Sequence, residues 1–174
     1  MTESGVVWLT GLSGAGKSTV AELLDARWRA EGLAPVRLDG DELRAMLPVR
    51  TGYTREDRLR LARFYARLAA GFAARGHLVI CATISLFHEV HAWNRAHVPG
   101  YFEVWLRVPV PELRTRAGRA ALYRGADEVV GAGIEPELPR RPDLVIDNRP
   151  PVTAARAAEL VHAAWRQRNR REAA

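Results

Sequence analysis

"GVVWLTGLSGAGKSTV", residues 5 to 20, holds a strand, a loop and the start of a helix in one unbroken run. Its first six residues are apolar and short enough for a buried strand, and its last residues open an amphipathic pattern. Between them, Gly11 to Ser18 matches G-x-x-x-x-G-K-[ST] in the strand-then-helix setting that this loop requires. Glycines let the backbone wrap closely around phosphates, and the helix start adds partial positive charge. Of 26 Lys and Arg side chains Lys17 is the only lysine, so the compact charge of an ammonium is reserved for this position. Gly11, Ser13, Gly14, Ala15, Gly16, Lys17, Ser18 and Thr19 are therefore the expected nucleotide-binding loop. Lys17 would reach the β and γ phosphates, and Ser18 would ligate Mg²⁺.

The same lysine narrows the nucleotide. Guanine-specific P-loop proteins read the base with N-K-x-D, which cannot occur once Lys17 is used, so ATP with Mg²⁺ is expected. Outward from the loop, strands are predicted in "APVRLDGD", "HLVICA", "YFEVWLRV" and "DLVIDN", alternating with helices at about 17–30, 41–46, 54–76, 87–97, from 111 and from 153. Thr54 and Asp57 resemble a capping box, and Gly76 is a helix stop. Several strands are too apolar for one wet face. The pattern predicts an α/β fold: a doubly wound parallel sheet of about five strands, of the P-loop NTPase type, with helices on both faces. Periodicity weakens between about 117 and 142, where a mobile lid is expected, and no linker divides the chain, so 1–174 reads as one domain.

Composition excludes several classes. No apolar stretch approaches the roughly 20 residues that cross a bilayer, and the first residues lack the basic start and cleavage site of a signal peptide. A cytoplasmic protein with no membrane partner is expected. Cys81 is the only cysteine, which rules out an internal disulfide, and its apolar surroundings make it a small core residue. The net charge of +6 is spread over helices, with a dense run only in "WRQRNRREAA". It favours phosphorylated small molecules over nucleic acid.

Two further stretches carry candidate chemistry. "LDGDELR" puts Asp39 and Asp41 after the second strand, at the end of a parallel sheet where such crevices open. A carboxylate there can orient an acceptor hydroxyl, accept its proton or hold metal-bound water, so Asp39, Lys17 and Asp41 are the catalytic candidates and Ser18 and Asp39 the metal ligands. Asp41 could instead cap the next helix. "VICATISLFHE", residues 79 to 89, ends in Ser85, Phe87, His88 and Glu89. A hydrolase triad is excluded, since Ser85 lacks the G-x-S-x-G elbow and His88 is too near in sequence. Phe87 could stack on an acceptor base or close the core; His88 and Glu89 could meet the acceptor or lie on a helix surface.

"GLSGAGKST", "LDGDELR", "GYTREDR", "ICATIS", "YFEVWL", "LY" at 122–123 and "RPDLVIDN", in this order, resemble the adenylyl-sulfate (APS) kinases over nearly the whole chain. The resemblance implies a P-loop core with a lid, transfer of the γ-phosphate of MgATP to the 3′-hydroxyl of adenylyl sulfate, and homodimers, as relatives often form. It implies that Asp39 is the catalytic or metal-organising acid. Asp41, Arg44, Arg58, Ile84, Ser85, Phe87 and His88 would bind a small nucleotide acceptor. Arg116, Arg119 and Arg124 are the alternatives for a lid arginine. Ser85 matches a serine sometimes assigned as a phosphoenzyme site, but in-line transfer needs no covalent stop, so it reads as an acceptor-site hydrogen bonder. Departures fall on the acceptor side: Leu61 replaces a usual asparagine, "LFHEVHAWNR" replaces a proline and an arginine-rich turn, and "AALYRGADEVVGAG" is shorter and less basic than usual. The "SLFHE" and "VVG" variants are similar to a subgroup that includes cytidine diphosphoramidate kinases. A non-catalytic nucleotide-binding module is the alternative of another class.

Overall fold

The computed structural model describes residues 4–116 and 135–172. The strands are β1 (Gly5–Thr10), β2 (Val36–Asp39), β3 (Leu78–Ala82), β4 (Tyr101–Arg107) and β5 (Leu144–Asp147). The helices are α1 (Lys17–Ala30), α2 (Gly40–Ala45), α3 (Arg55–Ala73), α4 (His88–His97), α5 (Val110–Leu113) and α6 (Ala154–Glu172). All five strands are parallel, in the order β2-β3-β1-β4-β5. This is the doubly wound α/β fold that the alternation predicts.

β1 is buried at every position, so its side chains must be apolar on both faces. Val7 and Leu9 point to one side, where they meet Leu24 and Trp28 of α1 and Val161 and Trp165 of α6. Val6 and Trp8 point to the other, against Leu59, Tyr65 and Ala69 of α3 and Val90 of α4. The period of two in the strand and the helical spacing of Leu59, Ala62, Ala66, Ala69 and Ala73 therefore build two cores on one sheet. Cys81 lies inside the second core, where burial pushes its thiol upward and leaves it unreactive.

Register places the site. Val7 lies opposite Ile80 of β3 and Phe102 of β4, so β1 is the strand from which the chain departs first to one side and then to the other. The crevice of such a sheet opens beyond the carboxyl ends of the strands beside that reversal. β1, β2 and β3 deliver the phosphate loop, Asp39 and the 83–87 turn to the same end.

Two local expectations need correction. The capping box at α3 is one-sided: Thr54 Oγ1 accepts from the Asp57 N–H at 3.2 Å, but Asp57 Oδ2 binds the Thr54 hydroxyl at 2.7 Å rather than the Thr54 N–H. Asp41 does not cap α2. Asp39 does, through Oδ1, which accepts from the N–H groups of Asp41 (2.9 Å) and Glu42 (3.4 Å). Of the expected lid, 117–134 lies outside the described residues, and Arg119 and Arg124 with it.

Candidate active site

Gly16 begins α1 with φ of +90°, a conformation that L side chains rarely adopt, and a Cβ there would fall 2.6 Å from Asn148 Nδ2. That amide is needed where it is: it donates to Ala15 O at 2.7 Å. Arg116 grips the same loop, donating to Gly14 O at 2.9 Å and to Asn148 O at 2.6 Å. Gly11 is set by close approach, since a Cβ would lie 2.5 Å from Leu106 O. The phosphate loop is thus held from behind by β4 and by the residue that follows β5. Lys17 is buried, and its ammonium donates to Leu12 O at 2.9 Å.

Beside it, Ser18 Oγ donates to Asp39 Oδ2 at 2.6 Å. Asp39 is 5% exposed and divides its work: Oδ1 is taken by the start of α2, and Oδ2 faces the loop. A hydroxyl and a carboxylate oxygen in contact at a P-loop are an all-oxygen donor pair. They suit Mg²⁺, which takes one or two protein oxygens and completes its shell with water and phosphate. Among the described residues there is no cluster of three or more His, Cys, Asp or Glu that could hold a metal ion.

One cavity of about 370 Å³ opens here. It is lined by the phosphate loop through Ser13, Gly14, Gly16, Lys17, Ser18 and Thr19, with Asp39 and Arg116. Asp41, Arg44, Arg58, Leu61, Tyr65, Ile84, Ser85 and Phe87, from α2, α3 and the turn after β3, line the same cavity. Gly11 and Ala15 support the loop without lining the cavity. Arg58, Leu61 and Tyr65 follow helical spacing on one face of α3. Arg44 stacks 4.0 Å over the Tyr53 ring and donates to Thr51 O and Gly52 O, while Arg58 Nε donates to Tyr53 O at 3.0 Å. Burial pushes the Tyr65 phenol to about 12, so it keeps its proton and donates to Gly40 O at 2.9 Å. Phe87 is 4% exposed; it belongs to the core and shows one side to the cavity.

The turn after β3 is held tightly. Thr10 Oγ1 donates to Ile84 O, and the Ser85 and Thr83 hydroxyls are 2.7 Å apart. Ser85 has φ of +32°, in the left-handed region, the single positive value at a non-glycine residue among those described. His88 is placed outside the cavity. Its N–H donates to Glu137 Oε2 at 2.7 Å and its ring meets Leu138 O at 2.9 Å. Burial raises the Glu137 carboxyl, but the His88 N–H and the Arg55 guanidinium outweigh it and hold it below the usual carboxylate range. Glu89 lies on the helix surface, paired with Arg63 at 2.7 Å.

Sequence reasoning named Arg116 only among alternatives and missed Thr83, Tyr65 and Asn148. Tyr65 could have been found from its spacing with Arg58 and Leu61. Asn148 could have been found from its place just beyond β5, at the crevice end of the sheet.

The family model of adenylylsulphate kinase matches residues 3–147. A cytidine diphosphoramidate kinase of Campylobacter jejuni is 36% identical over 147 residues, covering 82% of this chain and 85% of its own. An adenylyl-sulfate kinase of Paraburkholderia xenovorans is 40% identical over 163 residues, covering 90% and 91%. Among solved structures, the APS kinase of Mycobacterium tuberculosis in complex with AMPPNP and APS superposes with a TM-score of 0.82 at 31% identity, covering 95% of this chain and 99% of that one. With a phosphate loop of the required form and a match across most of its length, the chain is a kinase and belongs to the adenylylsulphate kinase family.

Proposed function

We propose that this kinase transfers the γ-phosphate of MgATP to the 3′-hydroxyl of adenylyl sulfate. The observation that carries the reading is the single cavity lined both by Lys17, Ser18 and Asp39 and by Arg44, Arg58, Ser85 and Phe87. Phosphoryl transfer asks the protein for positioning and charge rather than for covalent chemistry, and this lining supplies both. Lys17 would pair with the β and γ phosphates of ATP. Ser18 and Asp39 Oδ2 would hold Mg²⁺, which neutralises charge on the transferring phosphoryl group. Oδ1 of Asp39 is tied to α2, so the position of Oδ2 is fixed before substrate arrives. Asp41, exposed at the start of α2 and lining the cavity, would orient the acceptor hydroxyl. Arg44 and Arg58 pair with acceptor anions, Phe87 stacks on its base, and Arg116 steadies the loop and the phosphates. Ser85 hydrogen-bonds the acceptor.

A second reading is supported by Leu61, an apolar side chain on the acceptor wall, and by the resemblance to the Campylobacter enzyme. It keeps the chemistry and replaces adenylyl sulfate by cytidine diphosphoramidate. Steady-state kcat/KM with each acceptor separates the two. Turnover of adenylyl sulfate with the higher kcat/KM supports the first reading, a higher value for cytidine diphosphoramidate supports the second, and no turnover of either removes both.

A further inference from the structure

His91 lies on the buried face of α4, 6% exposed, within the stretch "LFHEVHAWNR", and has no role assigned to it above. Its Nε2 is 2.9 Å from Ser85 O. A carbonyl only accepts, so Nε2 carries a hydrogen and Nδ1 of a neutral ring is bare. Nδ1 faces Glu103 Oε1 of β4 at 3.2 Å, and among the described residues neither atom has another hydrogen-bond partner. Two bare acceptors held that close in a dry core would repel, so one proton lies between them. Arg95 of α4 binds the second oxygen of Glu103 at 2.9 Å and is matched by Asp143, just before β5, at 3.2 Å. With that pair already balanced, a neutral Glu103 acid donating to His91 leaves the cluster without net charge. Burial drives both groups the same way, lowering His91 to about 4 and raising Glu103. His88 and Glu137 are the remaining titratable groups beside His91.

We propose that His91 is a positioning residue for the acceptor: its Nε2–H holds the Ser85 carbonyl and so keeps Ser85 in the left-handed conformation that turns this residue to the cavity, with Glu103 fixing the tautomer. The Ser85 carbonyl also accepts from the Phe87 N–H at 3.0 Å, so without His91 the turn persists but that carbonyl loses one of its two hydrogen bonds. A backbone conformation this sparsely populated needs its surroundings to hold it. The consequence for catalysis rests on the proposed acceptor-site role of Ser85; the consequence for Ser85 itself does not.

Three variants test the idea. His91→Phe keeps shape and loses the donor, His91→Gln restores an N–H at the place of Nε2, and Glu103→Gln imitates the neutral acid toward both His91 and Arg95. With MgADP alone, the ¹³C and ¹⁵N shifts of Ser85 should move in His91→Phe and return toward wild type in the two Gln variants. With adenylyl sulfate and cytidine diphosphoramidate as acceptor probes, His91→Phe should raise the KM of the acceptor used by roughly tenfold and leave that of ATP within about twofold. His91→Gln should recover most of that loss. Unmoved Ser85 shifts in folded His91→Phe overturn the proposal, as does an equal loss for both substrates. If His91→Phe does not fold, displaced Ser85 shifts in both Gln variants overturn it. Turnover of neither probe refutes the proposed function, while the Ser85 shifts still decide the role of His91.

Discussion

At the residue scale, Asp39 joins structure to chemistry, because its two oxygens have different partners. Asparagine keeps an oxygen for the N–H groups of α2 but loses the charge, whereas alanine loses both. Asp39→Asn is expected to melt within a degree or two of wild type and to lose kcat by about 100-fold or more. Asp39→Ala should lose the same activity and also about 1 kcal/mol of stability. Thermal melts read beside initial rates separate the two effects; equal melting points for the variants would show that the cap does not stabilise the fold. The loop residues and Asp39 were legible in the sequence because their chemistry is local, carried by spacing and by a lone lysine. Asn148 on Ala15 was not, since 133 residues separate the two and only the folded sheet brings them together, and His91 on Ser85, six residues apart, depends on where α4 starts. His88, read as meeting the acceptor or lying on a helix surface, is turned by α4 toward Glu137 and Leu138.

At the element scale, α4 begins at Phe87 without a side-chain cap of its own, and Glu137 from a distant part of the chain takes the His88 N–H instead. Glu137→Ala should therefore behave as the loss of a helix cap, costing about 1 kcal/mol in urea unfolding. No change in midpoint would show that the contact contributes nothing. The His91–Glu103 pair gives α4 and β4 a joint pH dependence. The unfolded chain carries both protons below about pH 4.3, one between about 4.3 and 6.5, and none above. In the folded chain Glu103 is raised by burial and His91 is lowered to about 4. The raised Glu103 contributes stability that is lost as pH rises from about 4.3 through its folded value, and the lowered His91 contributes stability that is lost as pH falls from about 6.5 toward about 4. Glu103→Gln removes the first of these. Urea midpoints of wild type and variant should diverge as pH rises from about 4.3, with wild type losing stability relative to the variant, and parallel curves would contradict a proton held on Glu103. Such elements were themselves readable, since apolar runs and helical spacing found the strands and helices of the described residues in order. The one-sided Thr54 cap was not, because an Asp one carbon shorter than Glu meets the Thr hydroxyl instead of its N–H.

For the whole molecule, topology does what no single element could. Three strands end together, so a phosphate loop, an acid and a strained serine turn share one cavity although 74 residues separate the Thr10–Ile84 contact that ties two of them. That convergence was legible from alternation alone, by the rule that open α/β sheets bind at their carboxyl ends. Arg44, Arg58 and Leu61 were placed on the acceptor side by the resemblance, and Tyr65 joins them in the cavity lining through the helical spacing of α3. The central claim is that this cavity passes a phosphoryl group from one nucleotide to the hydroxyl of another. Its most direct test follows the label from γ-³²P ATP, with Mg²⁺ and adenylyl sulfate, in wild type and in Asp39→Asn. The account predicts label on the 3′-oxygen of adenylyl sulfate with wild type and at least about a 100-fold slower appearance with the variant. Label released only as free phosphate, or transfer at an equal rate by Asp39→Asn, would contradict it.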